Sequence, residues 1–178
     1  MTSDSSARGA DPLDSTATLI ASLAARHLTL AVAESLTGGA LTAEFTRPAG
    51  ASAVVLGGVV VYATELKHTK IGVDASLLAE HGPVHPDVAS QLAAGVRASL
   101  AVGGKPADIG VSTTGVAGPD PQGGRSPGTV FVGVSSDEGT TVVELALSGS
   151  RDQIRAETVL HAVSAVIEAV GLDRGNGE

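Results

Sequence analysis

The chain has 178 residues, of which 43% are hydrophobic, and this fits one folded domain rather than a disordered chain. A net charge of −8 and an aromatic content of only 2% argue against a nucleic-acid-binding surface. The absence of cysteine rules out disulfides, thiolate metal sites and cysteine nucleophiles, and it fits a cytoplasmic protein.

Apolar spacing and turn residues divide the chain into alternating helices and strands. Asp11 and Pro12 have the pattern of a helix start, and a first helix is expected to follow them. Further helices are predicted over 40–47, 64–71, 76–81, 86–102 and 151–170, and strands over 28–33, 53–62, 108–113, 129–135 and 140–147. The last two strands are expected to pair as a hairpin. Strands that first alternate with helices and then pair predict an α/β sandwich with a mixed sheet.

No segment has the pattern of a membrane span or a secretion signal. The longest apolar run, 53–62, is shorter than the ~18 residues of a membrane helix and contains a glycine pair that indicates a bulge. Residues 1–12 lack an apolar stretch and are rich in small polar residues, which predicts a flexible tail. A second flexible tail is predicted over 172–178, with one domain over 13–171 and no membrane partner.

The familiar nucleotide-binding and catalytic templates are absent from the sequence. There is no GxGxxG, GxxxxGK[ST], HExxH or GxSxG motif. His81 and His85 have the spacing of helical metal ligands, but a Gly-Pro pair between them breaks the helix. Because a zinc site needs three or four converging ligands, we predict neither a metal site nor a cofactor.

A glycine-containing segment, AESLTGG at 33–39, lies between a predicted buried strand and a helix. Ligands of open α/β sheets bind at this end of the strands, where helix N-termini offer free N–H groups. Ser35 therefore has the position of a nucleophile, and the glycines allow a substrate to approach the backbone. Ordinary helix capping by Ser35 or Thr37 explains the same residues, because serine and threonine are preferred caps.

Tyr62 and Lys67 are candidates for the base that a serine nucleophile needs. Tyr62 is the only tyrosine in the chain, and Lys67 follows it in the next turn. Desolvation lowers the pKa of a lysine, and a phenol can orient or relay a proton. The alternative is that Tyr62 packs at a sheet edge while Lys67 points to water.

A second glycine loop, TTGVAGPD at 113–120, also follows a buried strand. Its N–H groups have the pattern of an anion-binding nest, although turn geometry alone also explains its glycines. Two such loops, together with Arg151 and Arg155 at the start of the last helix, favour a phosphate-bearing small molecule as ligand.

Taken together, these segments resemble the CinA C-terminal domain family, the nicotinamide-nucleotide amidohydrolases. The resemblance extends from Leu13 to Val170, and its landmarks are AESLTGG, LGGVVVYATELK, HGPVHPDVA, TTGVAGPD, PGTVFVGV and GSRDQIRAETV. It implies a three-layer α/β/α sandwich with a mixed sheet. It also implies hydrolysis of the carboxamide of nicotinamide mononucleotide, which gives nicotinate mononucleotide and ammonia.

The resemblance also implies a role for each matching residue. Ser35 would be the nucleophile, Lys67 and Tyr62 would provide the base, and N–H groups near Thr37 to Gly39 would hold the oxyanion. The residues implied in substrate binding belong to the two glycine loops and the last helix: Thr37, Gly38, Gly39, Thr114, Gly115, Ala117, Gly118 and Arg155, the last one meeting the phosphate.

The chain departs from the family pattern directly after Tyr62, where Ala-Thr-Glu at 63–65 replaces the frequent Ser-Asn-Glu. A non-catalytic nucleotide-binding or regulatory module is therefore the alternative function. The Ala- and Val-rich stretch 156–170 is compatible with a homo-oligomer, and equally with packing on the sheet.

Overall fold

Six helices and five strands make up the computed structural model, which describes residues 14–172. The helices are α1 (Ser15–Ala25), α2 (Ala40–Thr46), α3 (Thr64–Ile71), α4 (Ala75–His81), α5 (Pro86–Ser99) and α6 (Arg151–Ala169). The strands are β1 (Leu30–Glu34), β2 (Val55–Val60), β3 (Ile109–Gly115), β4 (Thr129–Ser136) and β5 (Gly139–Ala146).

The strands form one mixed sheet in the order β2-β1-β3-β4-β5. The interior strand β1 runs parallel to both of its neighbours, β2 and β3. Strands β4 and β5 continue the sheet beyond β3 as an antiparallel hairpin. The register between β1 and β2 skips Leu56, directly before the glycine pair Gly57 and Gly58. The mixed sheet, the hairpin and the irregularity beside the glycines are all confirmed.

Two separate apolar cores lie on the two faces of the sheet. Side chains alternate along β1, so that Leu30 and Val32 pack with α1, α2 and α6, whereas Ala31 and Ala33 pack with α3, α4 and α5. All five residues of β1 are buried, as expected for a central parallel strand covered on both faces. This arrangement confirms the three-layer α/β/α sandwich. None of the helices described is long and apolar enough to cross a bilayer.

Helix α5 lies unusually close to the sheet because small residues face it. A Cβ atom on Gly110 would lie 2.0 Å from the carbonyl oxygen of Ala93, and one on Gly133 would lie 2.5 Å from that of Ala89. Between the two glycines, the Ser112 hydroxyl donates to the Ala89 carbonyl oxygen at 2.6 Å. The close contact fixes α5, and with it the 82–85 loop that begins the helix.

Several element ends differ from the sequence prediction. Helix α1 begins at Ser15, and Asp14 caps it by accepting a 3.0 Å hydrogen bond from Ala17 N–H. Helix α5 ends at Ser99 instead of residue 102. Gly103 and Gly104 do not stop that helix, because they form a separate tight turn in which both have positive φ.

The predicted tails fall almost entirely outside the residues that the structure describes. This holds for residues 1–12, which include the predicted helix cap at Asp11, and for 173–178. Leu172 was assigned to the second tail, but its side chain packs against the core beneath α1 and α6.

The tight α5–sheet contact predicts that Gly110→Ala destabilises the fold. The added methyl group would collide with main-chain atoms of α5, and such overpacking costs about 1–3 kcal/mol. Urea unfolding measures the change. Ala94→Ser, on the exposed side of the same helix, should stay within about 0.5 kcal/mol of the parent. Equal unfolding midpoints for the two variants would show that α5 does not rest on Gly110.

Candidate active site

A cleft opens where the parallel strands β1, β2 and β3 end. Its cavity volume is about 80 Å³, and the cleft opens to solvent. Its walls are formed by Ser35 and Leu36 after β1, Tyr62 and Lys67 after β2, and residues 114–118 around the end of β3. Open α/β sheets bind ligands at this edge. The three sequence segments singled out for chemistry therefore meet in one cleft.

The cleft receives some of the predicted site residues and leaves others outside. Those that line it are Ser35, Tyr62, Lys67, Thr114, Gly115, Ala117 and Gly118, and Arg151 joins them from the start of α6. Those that do not line it are Thr37, Gly38, Gly39 and Arg155.

Ser35 and Lys67 are in hydrogen-bond contact at the floor of the cleft. Lys67 Nζ lies 3.2 Å from Ser35 Oγ and donates to the main-chain oxygens of Val61 at 2.7 Å and Tyr62 at 3.3 Å. The lysine is only 1% exposed, and no carboxylate among residues 14–172 forms a salt bridge with it. Burial therefore lowers the pKa of Lys67 to about 8. An amine with this pKa can exchange protons with the serine near neutral pH.

The short connection from β2 to α3 places Lys67 there. Val61 continues the pairing with β1, since its N–H donates to the carbonyl oxygen of Glu34 at 2.9 Å. Helix α3 begins at Thr64, with Ala63 as its cap residue. A lysine one turn into that helix can reach back to the carbonyls at the end of the strand.

The phenol of Tyr62 lies away from the dyad. The tyrosine is 58% exposed, and its hydroxyl accepts a hydrogen bond from Arg151 Nη2 at 3.2 Å. Arg151 Nη1 donates to the carbonyl oxygen of Gly118 at 2.7 Å, so these three residues join one rim of the cleft. In the part of the chain described, Tyr62 contacts Lys67 through its main-chain oxygen, and the proton-relay role of its hydroxyl stays a prediction.

Glu34 is a structural residue of the site that the sequence analysis did not single out. Its carboxylate is fully buried and accepts hydrogen bonds from the N–H groups of Gly39 (2.9 Å), Leu41 (3.1 Å) and Thr42 (2.8 Å). It also accepts from the Thr42 hydroxyl at 2.6 Å. The expectation of a free helix N-terminus for a substrate anion does not hold here, because the chain's own carboxylate fills it. The sequence signal for this contact is an acidic residue shortly before a predicted helix, because a carboxylate is stabilised at a helix N-terminus.

In the serine loop (residues 35–39), two of the three N–H groups of the predicted 37–39 stretch already have acceptors. Gly39 N–H is bound to Glu34, and Gly38 N–H donates to the carbonyl oxygen of Ser35 at 3.1 Å. The N–H groups of Leu36 and Thr37 have no acceptor within residues 14–172. The N–H that directly follows a nucleophile is a recurrent oxyanion donor, and Leu36 lines the cleft, so Leu36 is the better candidate.

Two long-range contacts hold this loop in place. From β3, the buried Thr113 hydroxyl lies 2.8 Å from that of Thr37 and accepts a 3.5 Å contact from Ser35 N–H. From α6, Arg155 donates through Nε and Nη2 to the main-chain oxygens of Leu36 and Thr37, both at 3.0 Å. Arg155 therefore binds the loop from behind, and Arg151 is the arginine that faces the cleft.

The two histidines that have ligand spacing belong to different elements. His81 ends α4, and His85 caps α5 by accepting a hydrogen bond from Asp87 N–H at 3.2 Å. Their rings stack with centroids 4.7 Å apart. No group of three or more potential metal ligands converges anywhere in residues 14–172.

Comparison with known families assigns the chain. The family model of the CinA C-terminal domain matches residues 13–170. The chain belongs to the CinA C-terminal domain family. The match contains both cleft-lining segments, the serine loop and the second glycine loop.

Curated relatives are longer than this chain. It is 45% identical over 144 residues to a CinA-like protein of Frankia casuarinae, which covers 81% of the chain but 32% of the relative. It is 48% identical over 141 residues to a competence-damage inducible protein of a Geobacillus species, with coverages of 79% and 33%. The chain thus spans about a third of the length of these relatives.

A solved structure of similar size shares the whole fold. The competence damage-inducible protein A of Klebsiella pneumoniae is 31% identical, and the two structures superpose with a TM-score of 0.81. The alignment covers 89% of this chain and 96% of the other. A competence/damage inducible protein of Agrobacterium tumefaciens is 29% identical with the same TM-score of 0.81.

The buried carboxylate predicts that Glu34→Gln weakens the fold. An amide in this place turns its own donors toward the N–H groups of α2, and a mismatched buried polar group costs about 1–3 kcal/mol. Urea unfolding is the measurement. Glu80→Gln is the matched control, because that side chain is 75% exposed, and it should unfold with the parent. Unchanged stability of Glu34→Gln would mean that the carboxylate does not hold α2.

Proposed function

We propose that this chain hydrolyses the carboxamide of nicotinamide mononucleotide to nicotinate mononucleotide and ammonia. The observation that carries the proposal is the 3.2 Å contact between Ser35 Oγ and the amine of a buried lysine. This pair joins a nucleophile to a base at the sheet edge where open α/β sheets bind ligands. The resemblance of the sequence to nicotinamide-nucleotide amidohydrolases supplies the substrate. A cytoplasmic location and a homo-oligomer remain parts of the same proposal.

The hydrogen-bond geometry of Lys67 suits a neutral amine that acts as a base. A neutral amine has two hydrogens and one lone pair. The carbonyl oxygens of Val61 and Tyr62 accept the two hydrogens, and this leaves the lone pair toward the Ser35 hydroxyl. Lys67 is then oriented to accept the proton of Ser35.

Acylation follows from this arrangement. Lys67 takes the hydroxyl proton while Ser35 Oγ bonds to the carboxamide carbon, and the carbonyl oxygen becomes an oxyanion. The free N–H group of Leu36 stabilises the oxyanion, and loss of such a donor typically costs about 10²–10³ in turnover. The Lys67 ammonium then gives its proton to the departing nitrogen. The C–N bond breaks, ammonia leaves, and an ester to Ser35 remains.

Hydrolysis of the ester reuses the same groups. A water molecule gives one proton to Lys67 and attacks the ester carbon, and the oxyanion again accepts a hydrogen bond from the Leu36 N–H. The C–Oγ bond then breaks, and Lys67 returns the proton to Ser35. The products are the original enzyme and a carboxylic acid, which releases its proton to solvent and becomes the carboxylate.

The rim of the cleft supports binding of a phosphorylated substrate. Arg151 is held by Gly118 and Tyr62 and provides positive charge beside the second glycine loop. The cavity of the cleft measures about 80 Å³, below the range of about 300–1,000 Å³ for small-molecule sites, so it fits the reacting carboxamide while the rest of the nucleotide lies along the open part of the cleft. We place the phosphate at Arg151 and the carboxamide at Ser35.

Removal of either member of the dyad should abolish ammonia release from nicotinamide mononucleotide. Ser35→Ala removes the nucleophile, and we expect turnover to fall by about 10³-fold or more with substrate binding retained. Lys67→Arg should be equally inactive, because a guanidinium does not deprotonate at these pH values. A coupled ammonia assay and calorimetric binding measure the two quantities.

Lys70→Ala is the matched control for the lysine variant, since Lys70 is exposed on the same helix, and it should retain parental activity. An active Lys67→Arg protein would contradict the role of the lysine as base. A parent protein that binds the nucleotide but releases no ammonia would instead support the non-catalytic binding module.

The lowered pKa of Lys67 predicts the pH dependence of the reaction. The base works only when neutral, so kcat/KM should rise about tenfold per pH unit up to a pH near 8 and then level off. Initial rates at low substrate concentration measure this rise of kcat/KM with pH, and Lys70→Ala should leave it unchanged. A rise with its midpoint near pH 6.5, which is typical of histidine, would refute the assignment of Lys67 as the base.

A further inference from the structure

We propose that Arg155 is a positioning residue that holds the Leu36 N–H group as an oxyanion donor. The assignment rests on the proposed amidohydrolase function. It replaces the sequence-based expectation that Arg155 contacts the substrate phosphate. The proposal rests on one observation: the Arg155 guanidinium, which lies outside the cleft, binds the successive carbonyls of Leu36 and Thr37 in the serine loop.

The contact is specific to a guanidinium in this place. Nε donates to Leu36 and Nη2 to Thr37, each at 3.0 Å, so both peptide planes are held by one rigid planar group. Gly38 lies beside the guanidinium, and a Cβ atom at that position would be in ordinary van der Waals contact with Nη2, 3.4 Å away. Gly38 also has a φ of +61°, a conformation that glycine adopts without strain.

Peptide geometry converts this contact into a direction for the N–H groups. A trans peptide is planar, so its N–H points opposite to its carbonyl. The Leu36 carbonyl faces Arg155, and the N–H of Thr37 in the same peptide therefore points away from Arg155. The Thr37 carbonyl also faces Arg155, and the N–H of Gly38 accordingly turns to the carbonyl oxygen of Ser35 at 3.1 Å. The N–H of Leu36 shares its peptide with that carbonyl and therefore points the opposite way.

The Leu36 N–H lacks an acceptor and belongs to a residue that lines the cleft. Leu36 is 3% exposed, and within residues 14–172 nothing accepts a hydrogen bond from its main-chain nitrogen. A buried N–H without a partner costs free energy, and such groups are rare in folded proteins. An oxyanion that forms beside Ser35 during the reaction would satisfy it. Arg155 then maintains a donor that the resting protein leaves unused.

The surroundings of Arg155 argue against a phosphate contact. Two of its nitrogens are bound to carbonyls, and Nη1 lies 3.8 Å from the Asp152 carboxylate. That carboxylate would repel a phosphate. Arg151 meets the cleft instead, so the two arginines of α6 have separable effects on turnover and on binding.

Steady-state ammonia release by Arg155→Ala and Arg151→Ala separates these effects. In Arg155→Ala we expect kcat to fall about 10- to 10³-fold with KM within about threefold of the parent, because the donor acts on the transition state. Arg151→Ala should mainly raise KM. Arg155→Lys should resemble Arg155→Ala, since one ammonium does not reproduce the two-carbonyl fork. Asp152→Ala, which removes the neighbouring carboxylate, should stay close to the parent.

Chemical rescue distinguishes a local positioning effect from general damage to the fold. Millimolar methylguanidinium should restore part of kcat in Arg155→Ala and none in Ser35→Ala, with sodium chloride as the salt control. A raised KM with unchanged kcat in Arg155→Ala would overturn the proposal in favour of a substrate contact. Lost turnover without rescue would overturn it in favour of a structural role.

Amide hydrogen exchange tests the positioning even if the chain releases no ammonia. The Gly38 N–H bond to Ser35 depends on the same peptide orientation, so its exchange should speed up in Arg155→Ala and stay unchanged in Arg151→Ala. Unchanged exchange at Gly38 in Arg155→Ala would refute the positioning role. If Gly38 exchanges faster in Arg155→Ala but the parent protein releases no ammonia, the positioning role of Arg155 holds and only the proposed reaction is refuted.

Discussion

The desolvation of Lys67 is the constraint on which the rest of the site depends. A lysine in water keeps its proton at neutral pH and cannot serve as a base for serine. In this structure, burial lowers the pKa to about 8, and the hydrogen-bond partners are main-chain carbonyls. A carboxylate in their place would favour the ammonium form and raise the pKa again. The environment therefore gives Lys67 acceptors for its hydrogens without a negative charge.

The fold supplies this environment through small residues and fixed loop ends. Helix α5 rests on Gly110 and Gly133, and the loop before it reaches the cleft, where the Thr114 hydroxyl donates to the Pro83 carbonyl oxygen at 2.6 Å. On the other face, the buried Glu34 carboxylate fixes the start of α2 directly beside the nucleophile. The serine loop is thus held at both ends. Such fixation is what a preorganised catalytic group requires.

The sequence predicts the architecture from local patterns, whereas the pairing of Ser35 with Lys67 was implied by the family resemblance, because local patterns alone left helix capping and a solvent-exposed lysine as alternatives. Apolar periodicity identifies the strands and helices, and the segments after the parallel strands contain Ser35 and Lys67. The different roles of Arg151 and Arg155 were not predictable from the sequence. Arg155 contacts Leu36 across 119 positions of the chain, and both arginines lie near the start of the same helix. The early end of α5 was also missed, because Leu100 caps the helix although the residues before Gly103 continue its apolar pattern.

Direct titration of Lys67 tests the central claim. The chain contains three lysines, so ¹³C-labelled lysine gives few side-chain signals, and the Lys70→Ala and Lys105→Ala variants assign that of Lys67 by elimination. NMR spectra across a pH series then report the pKa of its amine without reference to any substrate. The account predicts a titration midpoint near pH 8. A midpoint near the ordinary value of about 10.4 would show that Lys67 remains protonated at neutral pH, and it would contradict the role of this lysine as the base.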